Sequence, residues 1–200
     1  MNAFQDERPD PEALLAIANA EASADVLSGD AAGQRRRGRL KIFLGMCAGV
    51  GKTYTMLQDA RTRSMEGVDV LIGYIETHGR PDTEALLDGL AVLPRKQAPY
   101  RNVVLREFDL DAALARLPAL IVVDELPHSN APGSRHPKRY QDVLELLEAG
   151  IDVHTALNVQ HLESRADAAA QITGVPVRET VPDTILERAD EIELIDLSPD

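Results

Sequence analysis

At 200 residues and 44% apolar content, the chain has the size of one domain with a tail, and can bury a core without disulfide or metal staples. Thirty-three acids against 21 bases leave a formal charge of −12, and aromatics make up 4% with no tryptophan. These numbers exclude a sequence-independent grip on nucleic acid and base-stacking platforms. The single cysteine excludes an intramolecular disulfide and a thiolate zinc cage. No apolar run approaches the ~18 residues of a membrane helix. The N-terminus, Asp6-Glu7-Arg8-Pro9-Asp10, carries no export signal, so a soluble, acidic, intracellular protein is expected.

Residues 1–38 differ in composition from the rest and read as an arm and linker. Asp10 is a fitting N-cap and Pro11 a fitting first residue for a short helix over 11–17. Small and polar residues follow, then the run Arg35-Arg36-Arg37-Gly38-Arg39, read as solvated linker charge. From residue 39 to 200 the pattern alternates. Apolar runs at 40–44, 68–75, 103–108, 120–123, 151–157 and 192–197 predict buried strands. Segments of helical period at 53–66, 82–90, 110–116, 140–149 and 162–172 lie between them. The predicted fold is therefore α/β, a mainly parallel sheet with helices on both faces, preceded by the helical arm. Residues 126–138, with three prolines and a glycine, predict a long exposed loop.

The chemistry starts at Gly45-Met46-Cys47-Ala48-Gly49-Val50-Gly51-Lys52-Thr53, between a predicted strand and a predicted helix. This is the context of a phosphate-binding Walker A loop, and it makes the fold P-loop NTPase-like. Gly49 and Gly51 let the main chain bend so that successive N–H groups, that of Val50 included, face a phosphate. Lys52 supplies a cation, the Thr53 hydroxyl a Mg²⁺ ligand, and the helix its positive end. Met46 stands where the usual spacing has glycine; a positive φ there would cost ~1–3 kcal/mol. Cys47 reads as a small loop filler.

The strand at 120–123 ends in Asp124 and Glu125, the Walker B pattern. Asp124 is the expected Mg²⁺ ligand and Glu125 the candidate to orient or deprotonate a water. Asn158, closing the run at 151–157, is a second catalytic candidate, facing a terminal phosphate or its water. Glu76, His78 and Arg80 are candidates for the same rim. Arg135, Lys138 and Arg139 are candidates for a charge-stabilising finger. His128 and His136 lack the spacing of metal ligands.

These residues carry a family resemblance. The segments Glu76-Thr77-His78-Gly79-Arg80, Val123-Asp124-Glu125-Leu126, Asn130-Ala131-Pro132-Gly133-Ser134-Arg135-His136-Pro137 and Leu157-Asn158-Val159-Gln160-His161 are spread along the chain. With the phosphate loop and Arg178-Glu179-Thr180-Val181-Pro182-Asp183, they resemble the N-terminal domain of KdpD-type osmosensitive potassium-channel sensor histidine kinases. The resemblance implies a cytoplasmic domain that binds ATP and Mg²⁺ through Gly49, Gly51, Lys52, Thr53 and Asp124. It implies a longer parent in the bacterial inner membrane, with Ser198-Pro199-Asp200 at a domain boundary. There, downstream domains, membrane helices and a kinase core act through a response regulator on a potassium uptake operon. The family usually has Ala-Ala-Pro where Met46-Cys47-Ala48 stand here. None of the five histidines is followed by an acid, as a phosphoacceptor typically is, so autophosphorylation by this chain alone is not expected. Two other functions stay open at this point: an autonomous ATPase or phosphotransferase using Glu125, and an interaction scaffold that no longer binds nucleotide.

Overall fold

The computed structural model describes residues 36–101 and 103–196. The predicted arm helix at 11–17 and the residues after 196 lie outside them. Six strands form one sheet: β1 (Leu40–Gly45), β2 (Val70–Tyr74), β3 (Ala91–Val92), β6 (Leu120–Val123), β7 (Asp152–Asn158) and β8 (Glu191–Ile195). Their order is β3-β2-β6-β7-β1-β8 and every pairing is parallel. The helices are α1 (Lys52–Met65), α2 (Pro81–Ala85), α3 (Leu110–Arg116), α4 (Arg139–Glu148), α5 (Glu163–Thr173) and α6 (Thr184–Glu187). None in the described residues is long and apolar enough to cross a membrane.

Strand alternation divides the core. Phe43, Val70, Ile72, Leu120, Val122 and Ala156 pack with Met56, Leu57 and Ala60 of α1 on one face. Ile42, Leu44, Leu71, Ile121, Val123 and Val153 pack with α3 and α4 on the other, through Ala113, Val143, Leu146 and Leu147. Near-continuous Val, Ile and Leu in the strands is thus the signature of a sheet covered twice. Each fully buried aliphatic side chain contributes ~1.5–3 kcal/mol of burial free energy.

Four expectations need correction. The run at 192–197 supplies β8, but at the edge of the sheet, where Ile192 and Leu194 are exposed instead of buried. The run at 103–108 does not join the sheet. β5 (Val103–Glu107) pairs antiparallel with β4 (Lys96–Tyr100) in a separate hairpin, leaving Val103 and Val104 exposed. A nearby partner strand satisfies its backbone, so apolar content alone misplaces it. The helix expected over 82–90 ends at Ala85; turns follow, and a φ of 85° at Gly89 keeps the helix from resuming. The loop at 126–138 is exposed only in part. Leu126, Pro127 and Ala131 are buried, and Ser129 bridges to Lys138 across its neck. Asn130 N–H donates to Pro137 O (3.0 Å), and its side chain donates to His136 O (3.0 Å) and Asp142 Oδ2 (2.7 Å).

Candidate functional site

The carboxyl ends of β1, β2, β6 and β7 open into one cleft of about 200 Å³. Such a rim, where parallel strands deliver their loops, is the common ligand site of open α/β sheets. The segment after β1 forms its cradle. A Cβ on Gly45 would lie 2.7 Å from Val50 Cγ2, 2.9 Å from Lys52 Cδ and 3.1 Å from Ile195 O. Only glycine therefore ends β1 with the loop folded back this tightly. Gly49 and Gly51 sit at φ 90° and 99°, conformations that a side chain would strain. Met46 is not among the positive-φ residues, and its side chain is mostly in solvent. The strain considered for it is absent.

Gly51 is the N-cap of α1, with no side chain capping the first turn and no acid in it. The first amides of a 14-residue helix are thus left for a ligand. Lys52 is buried, and its Nζ donates to Cys47 O at 2.8 Å across the loop. Burial lowers its pKa, against the opposing pull of Asp124 and Cys47. An ammonium so poorly hydrated gains from an anion in the cradle.

Asp124 forms the opposite wall. Its N–H still bonds Tyr74 O (2.9 Å), extending the β2–β6 ladder. Its carboxylate accepts from Glu125 N (2.8 Å), from Thr53 Oγ1 (3.2 Å) and from the Glu76 N–H. Burial pushes its pKa up to about 6 from 3.8, with those hydrogen bonds resisting and the Glu125 charge adding to the rise. A bound cation would remove that penalty. Glu125 has a φ of 56°, a left-handed conformation costing ~1–3 kcal/mol in a non-glycine residue. It lines the cleft beside Asp124.

β7 lies between β1 and β6, so Asn158 at its end stands between the phosphate loop and Asp124. It pairs in register with Gly45. Its Oδ1 is buried and has no hydrogen-bond partner among the described residues. An acceptor in that condition calls for a donor such as a water. Gly49, Gly51, Lys52, Thr53, Asp124, Glu125 and Asn158 all line this one cleft, while Val50 is buried behind the loop. Glu76, His78 and Arg80 line it too.

The other three cations do not. Arg139 is fully buried beneath the site, 3.9 Å from the Tyr74 ring centroid, donating to Asp124 O (3.4 Å) and Glu107 Oε2 (3.1 Å). Arg135 is held by Asp111 and Glu145, and Lys138 Nζ donates to Ser129 Oγ (2.9 Å). They brace the long loop instead of reaching the cleft.

Sequence reasoning missed His128, His161 and Glu179 as cleft residues. His161 Nδ1 donates to Glu179 O (2.7 Å), which leaves Nε2 as the acceptor of the neutral ring. Glu179 in turn accepts from Ser129 N (2.7 Å). The one available signal was that His161 and Glu179 fall inside the resembling segments; nothing in local periodicity marks them.

The family model of the osmosensitive K⁺ channel His kinase sensor domain, KdpD, matches residues 36–200. The chain is 56% identical over 193 residues to the sensor protein KdpD of Escherichia coli (strain K12), covering 96% of this chain and 20% of that protein. It is 52% identical over 194 residues to sensor protein KdpD of Clostridium acetobutylicum, covering 97% and 20%. It is 50% identical over 165 residues to a putative sensor protein KdpD of Synechocystis, covering 82% and 45%. The chain thus spans about a fifth of the first two relatives.

Proposed function

The chain belongs to the KdpD sensor-domain family, and from that premise we propose that its cleft is a P-loop NTPase-like site that binds Mg-ATP and reports its occupancy to the rest of a sensor histidine kinase. The observation that carries the reading is convergence. A glycine-requiring bend, the helix amides it exposes, the desolvated Lys52 and the hydrogen-bonded pair of Thr53 and the buried Asp124 meet in a single cleft.

In this reading the main-chain amides from Gly49 through Thr53, that of Val50 included, take the phosphate oxygens. Lys52 moves its ammonium from the Cys47 carbonyl to the same phosphates. Thr53 and Asp124 hold Mg²⁺, directly or through water. The ion, when bound, neutralises phosphate charge and relieves the burial of the Asp124 carboxylate. Ordering the loop that Arg135, Lys138 and Arg139 brace gives occupancy a route to neighbouring domains. By way of the parent kinase and a response regulator, the output is control of a high-affinity potassium uptake operon, with this domain on the cytoplasmic side of the membrane.

Titration calorimetry with Mg-ATP on the chain and on Lys52→Ala tests the reading. Charge-assisted hydrogen bonds contribute ~1.5–3 kcal/mol, so the variant binds about 10- to 100-fold more weakly. Equal affinity in both proteins overturns the reading.

A second reading, hydrolysis, is favoured by two specific features: the left-handed Glu125 and the unpartnered Asn158 Oδ1. Together they fit a carboxylate and an acceptor set around a water at the terminal phosphate. The nucleotide-free scaffold loses its motive, because Met46 carries no left-handed strain.

A further inference from the structure

The cleft is short of positive charge for the ligand it is read to hold. Asp124, Glu125, Glu76 and Glu179 line it, and its permanent cations are Lys52 and Arg80. Lys52 already has a partner in the Cys47 carbonyl. Arg80 has none: among the described residues its guanidinium makes no hydrogen bond or ion pair, whereas Arg95, Arg116, Arg135 and Arg139 each hold a carboxylate.

The backbone that carries Arg80 is held in place. Its N–H donates to Thr77 O (3.1 Å) and its carbonyl accepts from Thr83 N (3.0 Å). Thr77 Oγ1 donates to Glu84 Oε1 (3.0 Å), and Pro81 opens α2 directly after it. His78 and Gly79, at φ 53° and 68°, turn the chain so that it returns toward the sheet rim. A fixed stem thus presents a free guanidinium.

Its direction is informative. Outside residues 48–50, the one heavy atom within 4 Å of the point where a Cβ on Gly49 would stand is Arg80 Nη2, at 3.9 Å. β6 and β7 lie between β2 and β1 in the sheet. A side chain from the segment after β2 that reaches the loop after β1 therefore spans the carboxyl ends of both. Those ends carry Asp124, read above as the metal ligand, and Glu125 and Asn158, read above to flank a water at the terminal phosphate.

We propose that Arg80 is the terminal-phosphate ligand of this cleft, the residue by which it selects a nucleoside triphosphate over a diphosphate. The inference rests on the nucleotide reading and deepens it. A planar guanidinium offers two parallel N–H groups to one phosphate, and so reads a terminal group that the loop amides, engaged with inner phosphates, do not distinguish.

The test is titration calorimetry of the full 200-residue chain, Arg80→Ala and Arg80→Lys. The ligands are Mg-ADP and a Mg-bound ATP analogue with a non-hydrolysable β,γ-linkage. Arg80 is exposed, so each variant is expected to melt within a degree or two of the parent. The expected result is a loss of about 10- to 100-fold for the triphosphate in Arg80→Ala, with diphosphate affinity changed by less than about threefold. Arg80→Lys recovers part of the loss. An equal loss for both ligands, or no loss for either, overturns Arg80 as the selector while parent binding keeps the nucleotide reading standing. A parent chain that binds neither ligand overturns both.

Discussion

The raised pKa of Asp124 makes a prediction that can be worked through in numbers. In the free domain its burial favours the neutral acid, and the rise from 3.8 to about 6 corresponds to about 3 kcal/mol at 1.36 kcal/mol per pH unit. The sign is fixed by linkage. The folded state holds the proton more tightly than the unfolded one, so the contribution of Asp124 to stability falls as pH rises from about 4 through 6, then levels off. Asp124→Asn removes that fall, and its melting temperature should exceed the parent's more at pH 7.5 than at pH 4.5. Binding of Mg-ATP has the opposite dependence, because the metal requires the carboxylate. With a pKa of about 6, one Asp124 in ten is ionised at pH 5, and affinity drops about 10-fold between pH 7.5 and 5. Calorimetry at pH 6, repeated in buffers of different ionisation enthalpy, should detect about half a proton released per site. The same titrations on Asp124→Asn subtract the nucleotide's own ionisation. If parent and variant show the same pH dependence of affinity, Asp124 is not a ligand of the metal and the argument from its burial fails.

Two further substitutions probe the cradle and the acid. Gly45→Ala places a methyl group 2.7 Å from Val50 Cγ2 and 3.1 Å from Ile195 O; it should destabilise the fold by about 1–3 kcal/mol in urea titrations and abolish nucleotide binding. Unchanged stability with retained binding would show that the loop does not depend on this close approach. Glu125→Gln should leave Mg-ATP affinity within about threefold and remove whatever phosphate release the chain shows, measured with a coupled phosphate assay. Release that persists in the variant assigns the water to another group.

Much of the site was legible because its chemistry is local. Gly49, Gly51, Lys52 and Thr53 are contiguous, and the apolar strand before Asp124 announces a strand end at which a carboxylate meets them. The central strands were legible for a related reason: burial on both faces leaves uninterrupted Val, Ile and Leu, as in Leu120–Val123. What escaped depends on partners far along the chain. Val103 and Val104 look like core until Lys96–Tyr100 is seen to pair with them away from the main sheet. Ala91–Val92 is a two-residue strand, too short to make a period. Arg139 looks like a loop cation, yet Tyr74 and Glu107, more than thirty residues upstream, enclose it. The left-handed turn at Glu125 has no sequence signal; the Asp124 carboxylate accepts from its N–H and the His128 N–H donates to its carbonyl. Likewise His161 lies in the cleft with its Nδ1–H donating to the main-chain carbonyl of Glu179, eighteen residues on.

The central claim is that the bend between Gly45 and Thr53 captures a nucleoside triphosphate, and the most direct measurement is a structure of the chain determined with Mg²⁺ and a non-hydrolysable ATP analogue. The account predicts phosphate oxygens on the amides from Gly49 to Thr53, Lys52 Nζ drawn from the Cys47 carbonyl toward them, and a metal beside Thr53 and Asp124. A loop without ligand at saturating nucleotide, with Lys52 Nζ still bound to Cys47 O at 2.8 Å, would contradict it.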